Sequence, residues 1–359
     1  MLDDKADKIL IIRLSAIGDI VHSLPTAYAI RQKYPNAQID WLVEERFYSL
    51  VKLNPYIDNV VILPRQKWSE LLKNDFLEGV KSIWKFIKKM RKRKYDISLD
   101  LQGLFKSSFA GFLFKPNLRM GPSDGRELSQ LFYQAKIDTP AKTCHRVEKY
   151  LHFAGALDVK TDEVNYGLKI TPVIKSRVSR LFEMEKINID KKIIILNPFT
   201  NWKSKNWFLD RYFELANKLI ELGYYVIFTG SEEEKGSINN FETIDSKAFC
   251  NLAGKTSLEE LVEIYRRADL YIGGDTGPTH IAAAVGLKVV ALMGPTSPET
   301  NGPYGKGHTV IQDNSLKCIR CWDKQCSRNM QCMKSISVDQ VLRIARKKIE
   351  KNQKDVVDE

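Results

Sequence analysis

Short apolar runs alternate with helical patterns from one end of this chain to the other. Lys8 to Leu14 is apolar with almost no polar interruption, as in a central strand of a parallel sheet covered on both faces. It ends in Ser15-Ala16-Ile17-Gly18-Asp19, after which a helix is expected from near Ile20 through Lys33, closed by Pro35-Asn36. Gln38 to Val43, Val60 to Leu63 and Tyr95 to Leu101 read as further strands. Between the last two, Leu72, Phe76, Val80, Ile83, Trp84, Ile87 and Met90 recur at three- and four-residue steps. That spacing predicts one long helix from Ser69 to Lys94 with those side chains on one face. His145-Arg146-Val147-Glu148 opens another helix towards Ala156.

The alternation restarts at Lys192, with a buried strand to Asn197, the loop Phe199 to Trp207 and a helix from Asp210 to Leu222. Tyr225 to Thr229 is the next strand, ending in Gly230-Ser231-Glu232-Glu233-Glu234, and Ser257 with Glu260 suits a capping box for a helix to Arg267. Ala268 to Ile272 is then a short strand, Gly273-Gly274-Asp275-Thr276-Gly277-Pro278-Thr279-His280 a glycine-rich turn, and Thr279 to Gly286 a helix. Glycines there let the backbone approach a ligand, and the N–H groups at the helix start favour an anion, so a phosphate or diphosphate fits. Val289 to Met293 and the loop Gly294-Pro295-Thr296 follow. Each half is therefore expected to be a doubly wound α/β domain, the two separated by a cleft. The expected bounds are 1–170, a linking segment with a helix at 171–190, 191–337, and a basic helix and tail at 338–359. That last helix either caps the second domain or packs back on the first.

At 359 residues, with 43% hydrophobic and 28% charged, the chain is long enough for two such domains and has a soluble globular balance. No apolar run approaches the length needed to span a bilayer. The opening residues Met1-Leu2-Asp3-Asp4-Lys5 lack the pattern of a signal peptide, so a cytoplasmic location is expected. The net charge of +12 suits nucleic acid, anionic lipid or phosphorylated substrates. With no nucleic-acid module in the sequence, no nucleic acid is expected as a partner, and lipid or sugar phosphate ranks higher. The basic run Lys85, Lys88, Lys89, Arg91, Lys92, Arg93 and Lys94 is either a solvated helix end matching the dipole or a contact for an anionic membrane surface. The two readings are compatible. The loop after the first strand is not the G-x-G-x-x-G fingerprint, so a dehydrogenase gains no support.

Several stretches together resemble the family-9 glycosyltransferases, the bacterial heptosyltransferases. They are Arg13-Leu-Ser-Ala-Ile-Gly-Asp19-Ile-Val-His-Ser-Leu-Pro25, Asp40-Trp-Leu-Val-Glu-Glu45, Asp100-Leu-Gln-Gly-Leu-Phe-Lys-Ser107, Lys205-Asn-Trp207 and Gly274-Asp-Thr-Gly-Pro-Thr-His280. Trp41 to Glu45, Gln102 to Ser107 and Arg126-Glu127 are most similar to the first heptosyltransferase. The resemblance implies a GT-B fold, two Rossmann-like domains facing across a cleft. It also implies an inverting transfer from ADP-L-glycero-D-manno-heptose to the Kdo region of the lipopolysaccharide inner core. Kdo-lipid A would be the acceptor, met at the inner leaflet of the inner membrane, with no cofactor and no metal. The alternatives are a heptosyltransferase II-like member and a non-transferring nucleotide-sugar enzyme such as an epimerase of the same fold.

Glycosyl transfer through an oxocarbenium-like state needs a base for the acceptor hydroxyl and charge stabilisation for the departing diphosphate. By resemblance Asp19 is the base, its bland alternative being a helix N-cap. Lys205 matches the lysine on the donor phosphates, with Lys203 as the neighbouring alternative. Thr276 and Gly277 would offer backbone N–H groups to the diphosphate. Thr200 and Glu234 match a donor-binding threonine and the carboxylate on the ribose, and Asp275 and His280 fit donor-site positions. Ser15, Gly18, Gln102, Lys106 and Arg126 are expected on the acceptor side. His22 reads equally as a packed helix residue. Cys318, Cys321, Cys326 and Cys332 depart from the first heptosyltransferase. They read as a structural metal site, free thiols or a disulfide, whereas Cys144 and Cys250 read as lone buried thiols.

Overall fold

The computed structural model describes residues 6–141, 143–159, 163–242 and 245–355. The opening residues, read above as lacking a signal peptide, lie outside the described residues, as does the end of the tail. The chain divides into two compact units, Met1–Lys169 and Ile170–Glu359.

In the first unit β1 (Lys8–Ile12), β2 (Gln38–Glu44), β3 (Asn59–Leu63), β4 (Ile97–Asp100), β5 (Leu118–Pro122) and β6 (Ala135–Ile137) form one sheet in the order β3-β2-β1-β4-β5-β6. Every pairing in it is parallel. The unbroken apolar run of β1 has its cause here. Ile9 pairs with Ile39 on one side and Ile97 on the other, and Ile9 to Ile12 are completely buried.

The long helix expected from Ser69 to Lys94 is instead two, Arg65–Asn74 and Phe76–Arg91. Asp75 adopts an extended backbone and accepts a hydrogen bond from the Glu78 N–H, so it ends one helix and caps the next. Gly79 lets the pair fold together, since a Cβ there would lie 2.9 Å from Leu72 Cδ2. The single apolar face breaks accordingly: Ile87 and Met90 are buried, but Phe76 and Trp84 are 65% and 49% exposed.

The second unit repeats the plan with β7 (Ile193–Asn197), β8 (Tyr225–Phe228), β9 (Phe249–Asn251), β10 (Leu270–Gly274), β11 (Val289–Leu292) and β12 (Thr309–Ile311). Its order, β12-β11-β10-β7-β8-β9, is that of the first sheet read from the other edge, again wholly parallel. The stretch 171–190 holds the helix Pro172–Met184, which packs on the helix Leu258–Arg266 within this unit. Arg267 reaches back to Ser179 Oγ and the Lys175 carbonyl. The helix Val338–Asp355 also belongs to this unit, with Val341, Ala345 and Ile349 in its core and Lys218 bonded to Asp339.

Candidate active site

In both sheets the strand order reverses between the first and fourth strands, and loops leaving such a point at the carboxyl edge diverge and leave room for a ligand. β1 and β4 form that point in the first unit, and Ser15, Gly18, Asp19, Gln102 and Lys106 all lie on the loops or helix starts that follow them. β7 and β10 form it in the second, followed by Thr200, Lys205 and Asp275 to His280.

The helix after β1 starts at Ile17, earlier than expected, so Gly18 and Asp19 lie in its first turn. Its N-cap is Ala16, without a side-chain cap, so Asp19 is not the cap residue. The Asp19 carboxylate instead pairs with Arg13 Nη2 at 2.6 Å and accepts a hydrogen bond from Tyr150 Oη at 3.2 Å. Arg13 is nearly buried, donates through Nη1 to the Leu101 carbonyl at 2.8 Å, and lies 5.1 Å from the Tyr150 ring centre. Asp19 itself keeps 39% of its side chain open to solvent. Burial would raise its carboxyl, but Arg13, then Arg146, with hydrogen bonds from Tyr150 and Arg13, hold it below the usual carboxylate range. A carboxylate so held stays ionised at neutral pH, as a proton acceptor must.

At the same sheet edge, Lys106 Nζ bonds Glu44 at 2.9 Å and Ser15 Oγ at 3.3 Å. Gln102 Oε1 accepts from the Leu14 N–H and so ties the two loops together. Asp100, almost fully buried, orders that loop by accepting from Gln102 N, Gly103 N, Ser107 Oγ and Tyr133 Oη, and burial raises its carboxyl despite those donors. Arg126 is exposed, and its backbone N–H bonds the Gly103 carbonyl. His22 is buried, its ring edge-on to His145 at 5.4 Å.

In the second unit Asp275 is the hub. Its Oδ2 accepts from Lys205 Nζ at 2.7 Å and Thr296 Oγ1 at 2.8 Å, and Oδ1 lies 3.3 Å from His280 Nε2. Burial opposes ionisation, but His280 and Lys205 outweigh it and keep Asp275 well below the usual carboxylate range. Lys205, and not the exposed Lys203, is the lysine that reaches the turn, and its ammonium sits 4.2 Å from the centre of the Trp202 ring. The helix Gly277–Ala284 starts at Thr276 with no side-chain cap. Gly274 packs so closely that a Cβ would lie 2.9 Å from Thr200 Cγ2. Thr200 Oγ1 bonds Asn206 Oδ1 and the Trp202 carbonyl, shaping its loop. Glu234 folds back on the Ser231 N–H at 2.7 Å, as the third residue of a capping box.

Sequence reasoning gave no role to Arg13, Tyr150, Arg146, Thr296 or Asn206. For Arg13 a signal existed, since a charge directly after the buried apolar run Ile9 to Ile12 demands a partner. Tyr150 carried none, being 131 residues from the carboxylate it bonds.

The four clustered cysteines are unpaired thiols. Cys332 is pushed up by burial and then by Cys326, Cys318 and Cys321, so the four share one neighbourhood, and Cys326 Sγ accepts from the Arg328 and Met330 N–H groups. Among the described residues no three metal-ligating side chains are grouped to hold an ion. The segment is tied to the loop that carries Lys205 by Ser204 Oγ donating to the Asp323 carbonyl at 2.6 Å. Cys250 is buried with its thiol pushed up to about 12, first by burial; Cys144 is only half-buried. Among the described residues no helix is long and apolar enough to cross a membrane.

Two doubly wound parallel sheets, each with a polar cluster at its reversal point, define a GT-B protein. The chain belongs to glycosyltransferase family 9 (heptosyltransferase), whose sequence profile matches residues 83–331. It is 27% identical over 318 residues to the lipopolysaccharide core heptosyltransferase OpsX of Haemophilus influenzae, covering 86% of this chain and 85% of that one. With the lipopolysaccharide heptosyltransferase 1 of Pseudomonas aeruginosa it shares 26% over 329 residues, 89% of this chain and 87% of the relative. Among solved structures, the E. coli ADP-heptose lps heptosyltransferase II superposes with a TM-score of 0.77 at 22% identity, covering 96% of this chain and 99% of that one.

Proposed function

We propose that this enzyme transfers heptose from ADP-heptose to the Kdo region of a lipopolysaccharide inner core, as a type I heptosyltransferase working at the inner leaflet of the inner membrane. The observation that carries the reading is an ionised, partly exposed carboxylate, Asp19, at one reversal point, with a lysine and an uncapped helix start at the other. In this reading the acceptor hydroxyl oxygen attacks the anomeric carbon while the bond from that carbon to the diphosphate oxygen breaks. Because Asp19 is held as a weak base, it takes the hydroxyl proton late, once the forming bond has made that proton acidic. The leaving charge falls to Lys205 and to the N–H groups at Thr276 and Gly277, which makes a metal unnecessary. Asp275, bonded to three neighbours, orients Lys205 and His280 beside the donor, and Thr200 and Glu234 line the same donor site.

Names of relatives support the donor and the acceptor class, and the stretches Trp41 to Glu45 and Gln102 to Ser107 support type I. The test is ADP release from ADP-heptose with Kdo-lipid A present. Release is expected only when both substrates are supplied. Isomerisation of the donor without release would make the protein an epimerase-like enzyme and sink the proposal.

A further inference from the structure

Phe105, Phe109 and Phe112 follow one another at four- and three-residue steps in the helix Phe105–Phe114, so they share one face. Phe105 and Phe112 are each 44% exposed. The rings of Phe105 and Phe109 stack at 5.3 Å, and Phe132 packs against all three at 5.5 to 5.6 Å. Beside Phe132, Leu128 and Leu131 are 71% and 76% exposed. Glu127 and Leu128 hold φ values of 58° and 61°, a left-handed region that penalises any residue carrying a Cβ. A leucine held there with its side chain outside the core adds little to folding, and backbone outliers of this kind collect where something binds.

The surroundings are cationic. Arg119 Nε donates to the Phe132 carbonyl at 2.8 Å with its guanidinium 5.5 Å from the Phe112 ring centre, and Lys115 and Arg126 are exposed nearby in the chain. On the other flank Arg91 Nε donates to the Leu113 carbonyl at 2.8 Å, which brings in the basic end of the helix Phe76–Arg91. That helix places the exposed Leu77 and Trp84 on one face with Lys88 and Arg91, and Lys85, Lys89 and Lys92 are exposed beside them. Of the basic run, Arg93 is engaged by the buried Asp40 and turns inward.

We infer that this face of the first unit docks on an anionic lipid bilayer. Phe105, Phe112, Leu128 and Leu131 enter the interface, and Lys88, Lys89, Lys92, Lys115 and Arg126 meet the headgroups. Apolar side chains ringed by cations are what an anionic interface takes up. A second copy fits less well, because a two-fold contact would set one cationic rim against another. The surface deepens the proposed transfer to a lipid-linked acceptor and rests on that reading only for its purpose. Phe105 is the residue before Lys106, and its N–H bonds Glu127 beside Arg126, so the apolar patch runs into the acceptor-side loop.

The test uses the full chain and sedimentation with vesicles of phosphatidylethanolamine and phosphatidylglycerol, against vesicles of phosphatidylcholine alone. The double variant Leu128→Ser/Leu131→Ser is expected to lower partition onto the anionic vesicles about tenfold or more. The triple variant Lys88→Gln/Lys89→Gln/Lys92→Gln is expected to weaken it and to flatten its salt dependence. Turnover on a soluble, delipidated acceptor should not change in either. Unaltered partition in both variants overturns the inference. So does a wild-type dimer, seen by light scattering without lipid, that Leu128→Ser/Leu131→Ser turns into monomers, because the patch would then join two copies. If the enzyme releases no ADP from ADP-heptose on either acceptor, the proposed function fails while the vesicle result still decides the docking.

Discussion

Replacing Asp19 by asparagine separates its pairing with Arg13 from the proton transfer we propose for it. The amide has nearly the same shape, and its oxygen still accepts from Arg13 Nη2 or Tyr150 Oη, 2.6 Å and 3.2 Å away in the native protein. What the structure loses is the charge in those contacts. Hydrogen bonds to an ionised group are roughly twice as strong as neutral ones, and although Asp19 is 39% open to solvent its partner Arg13 is nearly buried, so the cost to stability is about 1–2 kcal/mol. For a unit of this size that lowers Tm by about 2–8 °C. The kinetic effect is far larger. A positioned base contributes about a hundredfold to ten-thousandfold, or about 3–5 kcal/mol of barrier, so single-turnover rates should drop by that factor. Affinity for ADP-heptose should hardly change, since in our reading the donor contacts belong to the second unit. The assay is ADP release under single-turnover conditions, with donor titration calorimetry and a thermal melt on the same sample. A near-normal rate whose pH profile keeps its acidic limb would put the base elsewhere and refute the mechanism.

Two further outcomes follow from the same clusters. Asp275→Asn should differ from Asp19→Asn by weakening ADP binding as well as rate, because Lys205, Thr296 and His280 lose the carboxylate that gathers them; unchanged ADP affinity in calorimetry would remove Asp275 from the donor site. Arg13→Met should move the acidic limb of the pH–rate profile to higher pH, because burial of Asp19 would then be opposed only by Arg146 and Tyr150. The sign for stability agrees. A carboxylate with a depressed folded pKa stabilises above its unfolded pKa, and that contribution is lost as the pH falls through the folded pKa. Thermal melts of the variant should therefore lose it at higher pH than the native protein does, and coincident profiles would show that Arg13 does not set the Asp19 pKa.

Much of this molecule is legible along the chain because its cause is local. A strand covered on both faces must be apolar throughout, so Ile9 to Ile12 and Ile193 to Leu196 announce themselves, and so do the loops that leave them. The motif residues Asp19, Lys205 and Asp275 could be named from those loops, and the family followed from several such loops together. Other features depend on groups distant in sequence. Periodicity could not reveal the break at Asp75, since Leu72 and Phe76 keep helical spacing across it and only packing of Gly79 on Leu72 folds the two helices together. Adjacent lysines are equivalent in sequence, and the Trp202 ring and Asp275 select Lys205 over Lys203. The charge state of Asp19 belongs to Arg13 and to Arg146 and Tyr150, which the first strand and the helix Arg146–Gly155 bring to it from sequence-distant parts of the first unit. Sequence by itself determined which side chains stand at the reversal points. Tertiary structure decided which charges they meet there, because pairing depends on distances that no one-dimensional spacing contains.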